Sequence, residues 1–184
     1  MILKKTIIWG IPILLLFVVT VFFAFNKSNM PPEKALNKFS KLIEKKNLDD
    51  ISLTIYYMNL DIFTFAALSV DDLIKFNAVQ KFVIDSNSLE EHIDLLKQLN
   101  KDALIPSENK SYINARIYYV FKTKKNRKIF DVIMWGSYGS VFINGLEVKG
   151  NDIFYYVIMP FLPEDETKKL ETYRQGNQED WINQ

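Results

Sequence analysis

Apolar and polar residues alternate along several stretches of this chain, recur at helical spacing in others, and give way once to an unbroken apolar run. In Ile51 to Met58, Ile51, Leu53, Ile55 and Tyr57 alternate with Ser52, Thr54 and Tyr56. That period of two predicts a strand. Val79 to Asp85 predicts a second. Tyr112 to Thr123 predicts a third, with Ile113, Ala115, Ile117, Tyr119 and Phe121 on one face, and Lys128 to Trp135 a fourth, with Phe130, Val132 and Met134 on one face. A turn over Lys124 to Arg127 would pair Phe121 with Phe130, Tyr119 with Val132 and Ile117 with Met134. A slip of one residue would set the apolar face of one strand against the wrong face of its neighbour. Asn144-Gly145 is the favoured type I′ dipeptide and would pair Ile143 with Leu146 and Val141 with Val148.

Helical spacing appears between these strands. Pro31 and Pro32 can open a helix to about Lys46, because proline is tolerated in a first turn; Ala35, Leu36, Phe39, Leu42 and Ile43 then share one face. Ser69 with Asp72 resembles a capping box for a short helix to about Phe76. Ser88 with Glu91 predicts another, opening a helix to about Asn100 with Leu89, Ile93, Leu96 and Leu99 inward. Asn151 or Asp152 caps a short apolar helix over Ile153 to Phe161, closed by Pro160 and Pro163. Beyond Glu164 the chain turns polar and is expected to fray, except near Tyr173 or Trp181.

The unbroken run is Thr6 to Phe25, 20 residues without a charge. As a helix it measures about 30 Å, the thickness of a bilayer's hydrocarbon core. It is longer than a signal-peptide core, and bulky Phe22 two positions before Ala24 makes a poor cleavage site. A retained anchor is therefore expected. Lys4 and Lys5 argue for a cytoplasmic N-terminus. Lys27 and the lysines from Lys34 to Lys46 pull the other way in a simple positive-inside count, but most of them lie on a helix of a domain translocated whole.

The organisation expected is thus a short cytoplasmic segment 1–5, an anchor over 6–25, a linker over 26–30, one α+β domain over 31–163 outside the cytoplasm, and a polar tail over 164–184. The domain should be a mainly antiparallel sheet, a β-meander of about five or six strands, packed by three to four helices. Composition adds little to this picture. The net charge is +1, so no global field points to nucleic acid. There is no cysteine, which removes disulfides, thiol chemistry and cysteine-ligated metals. Twenty lysines against three arginines match the codon bias of an AT-rich genome such as that of a low-GC Gram-positive bacterium.

Candidate chemistry is sparse. His92 is the single histidine and falls on the shoulder of an apolar helix face. No acidic spacing matches a calcium loop or zinc helix, and no nucleophile elbow, phosphate loop or dinucleotide fingerprint occurs. No catalytic residue, metal ligand or cofactor is assigned. Two surfaces are candidates for binding. One is the hairpin tip carrying Lys124, Lys125 and Arg127, which could grip a polyanion and is equally the composition of a solvated turn. The other is the second face of the meander, where Arg116, Tyr118, Asp131 and Trp135 lie; with helices on both sides of the sheet it is core, and uncovered it is an aromatic platform. Lys34, Lys38, Lys41 and Lys45 form a lysine stripe near the bilayer, suited to anionic lipid or wall polymer, though a lysine-rich chain places such a stripe on any solvated helix.

The expected function is a single-pass membrane-anchored, non-enzymatic binding module at the cell envelope. Its partners would be the lipid bilayer and another envelope protein or polymer, not nucleic acid. The alternatives are a small extracytoplasmic enzyme working with carboxylates, and a membrane-tethered cytoplasmic assembly or regulatory subunit.

Overall fold

Alternation and turn chemistry dictate the sheet. In a computed structural model, residues 30–45, 48–108, 111–135 and 140–182 are described, with side chains through Arg174. Six antiparallel strands, β1 (Ile51–Met58), β2 (Val79–Ile84), β3 (Ile117–Thr123), β4 (Lys128–Met134), β5 (Val141–Ile143) and β6 (Leu146–Val148), form one sheet in the order β2-β1-β3-β4-β5-β6. With several helices this makes an α+β domain. The β3–β4 register pairs Phe121 with Phe130, Tyr119 with Val132 and Ile117 with Met134, as the apolar pattern requires. The β5–β6 turn pairs Ile143 with Leu146. Asn144 at φ 51° and Gly145 at φ 82° place both central residues in the left-handed region, the geometry of a type I′ turn.

The first face of the sheet holds the main core. Leu53, Ile55, Tyr57, Tyr119, Phe121, Phe130, Val132 and Ile143 are fully buried there. α1 (Pro32–Glu44) lies on this face through Ala35, Leu36, Phe39 and Ile43. The Phe39 ring sits 4.7 Å from that of Phe121 and 5.2 Å from that of Phe130. The middle of the second face is covered by the β1–β2 connection. Leu68 and Val70 from it, with Leu73 of α2 (Val70–Lys75), pack against Met58, Ala115, Ile133 and Phe142. The capping box that opens α2 is complete, the Asp72 N–H donating to Ser69 Oγ at 3.1 Å and the Ser69 N–H to Asp72 at 3.3 Å.

Four elements differ from the pattern-based expectation, each for a local reason. The helix expected from Ser88 to Asn100 is instead α3 (Ser86–Glu90) and α4 (Ile93–Leu96). Asp85, three residues before Ser88, takes the capping role by accepting the Ser88 N–H at 3.0 Å. Leu89, Leu96 and Leu99 still point inward. The third strand begins at Ile117 rather than Tyr112. Before it, Ala115 N–H donates to the Leu68 carbonyl and Asn114 Oδ1 accepts the Leu68 N–H, so this backbone serves the β1–β2 connection and Ala115 faces the second layer. The apolar segment after Asp152 splits into α5 (Ile153–Tyr156) and a 3-10 turn Met159–Phe161, where Pro160 contributes no donor. The polar tail is not frayed from Glu164: it forms α6 (Glu164–Ile182), with Leu170 fully buried in the main core.

Among the described residues no helix is long and apolar enough to cross a membrane. Thr6 to Phe25, segments 1–5 and 26–29, and residues 136–139 lie outside those residues.

Candidate functional site

The end of the sheet where β1 stops and β3 starts collects the unusual chemistry. After Met58 the chain makes a tight Asx turn, the Asp61 N–H donating to Asn59 Oδ1 at 2.9 Å, and then runs without regular structure through Ile62, Phe63 and Thr64 to a bend at Phe65. Alternation again sets the outcome. Thr64 turns toward the sheet, donates to the Ala66 carbonyl at 2.8 Å and accepts from Arg116 Nη2 at 2.7 Å. Phe63 and Phe65, on either side of it, project into solvent at 94% and 113% relative exposure. Each forgoes about 1.5–3 kcal/mol of apolar burial that the fold does not collect. No candidate from the sequence pattern fell on this loop, although the Phe-Thr-Phe alternation was present to be read.

Arg116 anchors the loop from beneath and is only 7% exposed. Its Nη2 binds Thr64, while its Nη1 is buried with no hydrogen-bond partner. Burial pulls the guanidinium below its ordinary value, and none of the salt bridges of the described residues includes it. A buried donor without an acceptor costs about 1–3 kcal/mol. We therefore expect Arg116→Met to raise the unfolding free energy by about 1 kcal/mol, the relief of that donor outweighing the lost bond to Thr64. Urea denaturation followed by near-ultraviolet circular dichroism measures this; a variant less stable than the parent would show that Arg116 holds the loop more strongly than its geometry implies.

The other second-face candidates are dispersed. Tyr118 Oη donates to Asp131 Oδ2 at 3.3 Å, and Lys128 Nζ pairs with the same oxygen at 2.8 Å. Burial, then the Asp131 charge, holds the Tyr118 hydroxyl well above its ordinary value. Its ring stacks at 5.8 Å on that of Tyr56, which Lys81 overlies. Trp135 leaves the face altogether. Its backbone sits at φ 79°, an unfavourable region for a bulky residue, and its ring stacks at 3.5 Å on Tyr173 of α6. Lys124, Lys125 and Arg127 are exposed at the β3–β4 turn, the opposite end of β3 from Arg116. Arg116 and Trp135 thus stand at one end of the sheet and Lys124, Lys125 and Arg127 at the other, with Tyr118 and Asp131 between them, so the two candidate surfaces stay separate.

Two polar clusters had no sequence signal of their own. Glu166 of α6, itself buried, accepts from Tyr57 Oη at 3.0 Å and from Asn59 Nδ2 at 2.9 Å, joining the C-terminal helix to the end of β1. Burial, followed by the hydrogen bond to Glu166, pushes the Tyr57 hydroxyl far above its ordinary value. Glu147 of β6 accepts from Ser140 Oγ at 2.5 Å, from Ser111 Oγ at 2.7 Å and from the Ser111 N–H at 2.9 Å. Burial would raise this carboxyl, but the hydrogen bonds from Ser140, Ser111 and Ser107 prevail and hold it below the usual range. Both clusters fasten loops and helices to the sheet. His92 stands edge-on to Phe161 at 5.2 Å between ring centroids, a packing role.

Among the described residues no group of three or more His, Cys, Asp or Glu side chains is arranged to hold a metal ion. The carboxyls with displaced acidity, Asp72, Asp85, Asp94 and Glu147, are all held down. The chain matches no family model, no curated protein and no solved structure.

Proposed function

We propose that this chain is a single-pass membrane-anchored, non-enzymatic binding module whose domain lies outside the cytoplasm and docks a partner protein through the Phe63–Phe65 loop. The observation that carries the docking half is the exposure of those two rings on a loop fixed by Thr64 and Arg116. Rigid exposed aromatics are the usual anchors of protein interfaces, because they bring large area with little entropy left to lose. Around the rings, Asp61, Asp71 and Asp72 are met by Lys75, by Arg116 under Thr64 and by Lys169, which pairs with Asp61 at 2.9 Å. With charges of both signs close to balance, no basic patch draws this loop to an anionic bilayer, and the two rings are its main recognition feature. The anchoring half is supported by the length and apolarity of Thr6 to Phe25.

The test uses two variants of the full chain expressed in its own membrane. Deleting Thr6 to Phe25 should move the chain from the membrane to the soluble fraction. Phe63→Ser with Phe65→Ser should leave the chain membrane-bound and folded, with a stability change within about 0.5 kcal/mol because both rings are exposed. If the loop docks a partner, the parent should run on native gels as a species larger than the lone chain, and the double variant should not. A deletion variant retained by the membrane, or an unchanged complex with both rings removed, would refute the corresponding half.

A further inference from the structure

The lysine stripe on α1 and the basic turn between β3 and β4 belong to one surface. Lys34, Lys38, Lys41 and Lys45 follow one another at spacings of four, three and four residues, and all are exposed on the helix face opposite the core. Like charges one turn apart weaken a helix. None of the four forms an ion pair among the described residues, nor do Lys124, Lys125 and Arg127. Acids do border the strip: Glu33 and Glu44 on α1, and Asp49 and Asp50 after it, four against seven cations.

The two basic groups are joined through the backbone. α1 covers about 20 Å across the first face. Past its end, the Asp50 carbonyl accepts the N–H of Lys124 at 2.8 Å, which brings the hairpin turn against the segment that follows the helix. The other end of α1 is where the apolar run arrives. The Met30 carbonyl accepts from Asn144 Nδ2 at 2.7 Å, so the chain enters the domain at the β5–β6 turn. From Phe25 to Met30 an extended chain reaches at most about 18 Å. A basic strip that begins at such a tether starts within about two screening lengths, roughly 8–10 Å each, of the surface it would meet.

We infer that the outer face of α1 and the β3–β4 turn form a docking strip for the anionic headgroups of the bilayer in which the chain is anchored, laying the domain on that surface with the Phe63–Phe65 loop, at the other end of the sheet, left free. This rests on the anchor reading above. Its occupant is committed by charge and by tether: an anionic lipid surface, within reach of the first turn of α1.

Because the chain has no cysteine, single labels are unambiguous. The full chain would be reconstituted in vesicles with a fluorophore at Asn37→Cys, Lys125→Cys or Phe65→Cys, and quenching by a headgroup nitroxide recorded. In phosphatidylcholine mixed with phosphatidylglycerol, quenching at 37 and 125 should exceed that at 65. In phosphatidylcholine alone, or at high salt, the difference should vanish. Replacing Lys34 and Lys41 with Gln should lower the docked-to-undocked ratio about fivefold per lysine removed. Equal quenching in neutral and anionic vesicles, or no response to the Lys34 and Lys41 replacements, overturns the strip while the anchor stands. Loss of the chain from all vesicles in an alkaline carbonate wash overturns the anchor and the strip together.

Discussion

Replacing Phe39 with alanine is expected to lower the unfolding free energy by about 3–5 kcal/mol, the largest loss from any single core truncation on α1. The ring is fully buried and meets two others, tilted against Phe121 at 4.7 Å and edge-on to Phe130 at 5.2 Å, while those two stack at 5.0 Å. Removing it forfeits the transfer term, about 1.5–3 kcal/mol for a large apolar side chain. The remainder is a cavity that cannot close, because Phe121 and Phe130 are fixed by the register of β3 against β4. A domain of this size commands roughly 5–15 kcal/mol in total, so the variant loses about a fifth or more of its margin. The urea midpoint should fall with little change in the denaturant slope. Lys38→Ala, one residue earlier on the exposed face, is the control and should move stability by less than about 0.5 kcal/mol. A Phe39→Ala loss near that of the control would mean that α1 does not seal this face.

The same three rings show what the amino-acid pattern could and could not reveal. Phe121 and Phe130 announce their pairing, because period-two alternation on both strands leaves one register that keeps apolar against apolar. Asn144-Gly145 likewise names its own turn, since few residues other than asparagine and glycine accept two successive left-handed conformations. Local competition is harder to read. Asp85 and Ser88 are both good caps, and which one wins depends on where β2 releases the chain. Long-range polar contacts left no local trace. Nothing around Glu166 identifies Tyr57 and Asn59, 109 and 107 residues away, as its partners, so α6 reads as a charged tail until its docking is seen. The candidate sites divide in the same way. The basic turn was visible as a run of cations, but its junction with α1 runs through a backbone carbonyl that has no side-chain signature. Trp135 was placed on the second face by alternation, and its positive φ takes it off that face.

Alkaline unfolding should be steep, and the buried tyrosines set its direction. Tyr57, Tyr119 and Tyr155 are all buried, and burial is the largest cause holding each hydroxyl above its ordinary value, aided at Tyr57 by Glu166 and at Tyr155 by the Tyr173 charge. Tyr119 donates to the Phe154 carbonyl at 3.1 Å, a bond that only the protonated form can make. In the unfolded chain these groups release their protons near pH 10, while in the fold they retain them. The unfolded state therefore binds fewer protons above that pH, and stability falls as pH rises. The contribution is whole below about pH 10 and drains at about 1.4 kcal/mol per pH unit for each group, about 4 kcal/mol per unit for these three and about 5.5 with Tyr118, whose hydroxyl is raised as well. Against a total margin of roughly 5–15 kcal/mol, that unfolds the domain within a few pH units of the onset. Urea midpoints measured at intervals above about pH 9 give the slope directly. Tyr119→Phe should remove about a quarter of it, while costing about 1–3 kcal/mol at neutral pH by leaving the buried Phe154 carbonyl without its donor. A parent whose stability stays level through this range would place the tyrosine hydroxyls in contact with water and contradict the packing of the first face. A Tyr119→Phe variant with an unchanged slope would assign the effect to Tyr57, Tyr118 and Tyr155 and show that Tyr119 does not keep its proton in the fold.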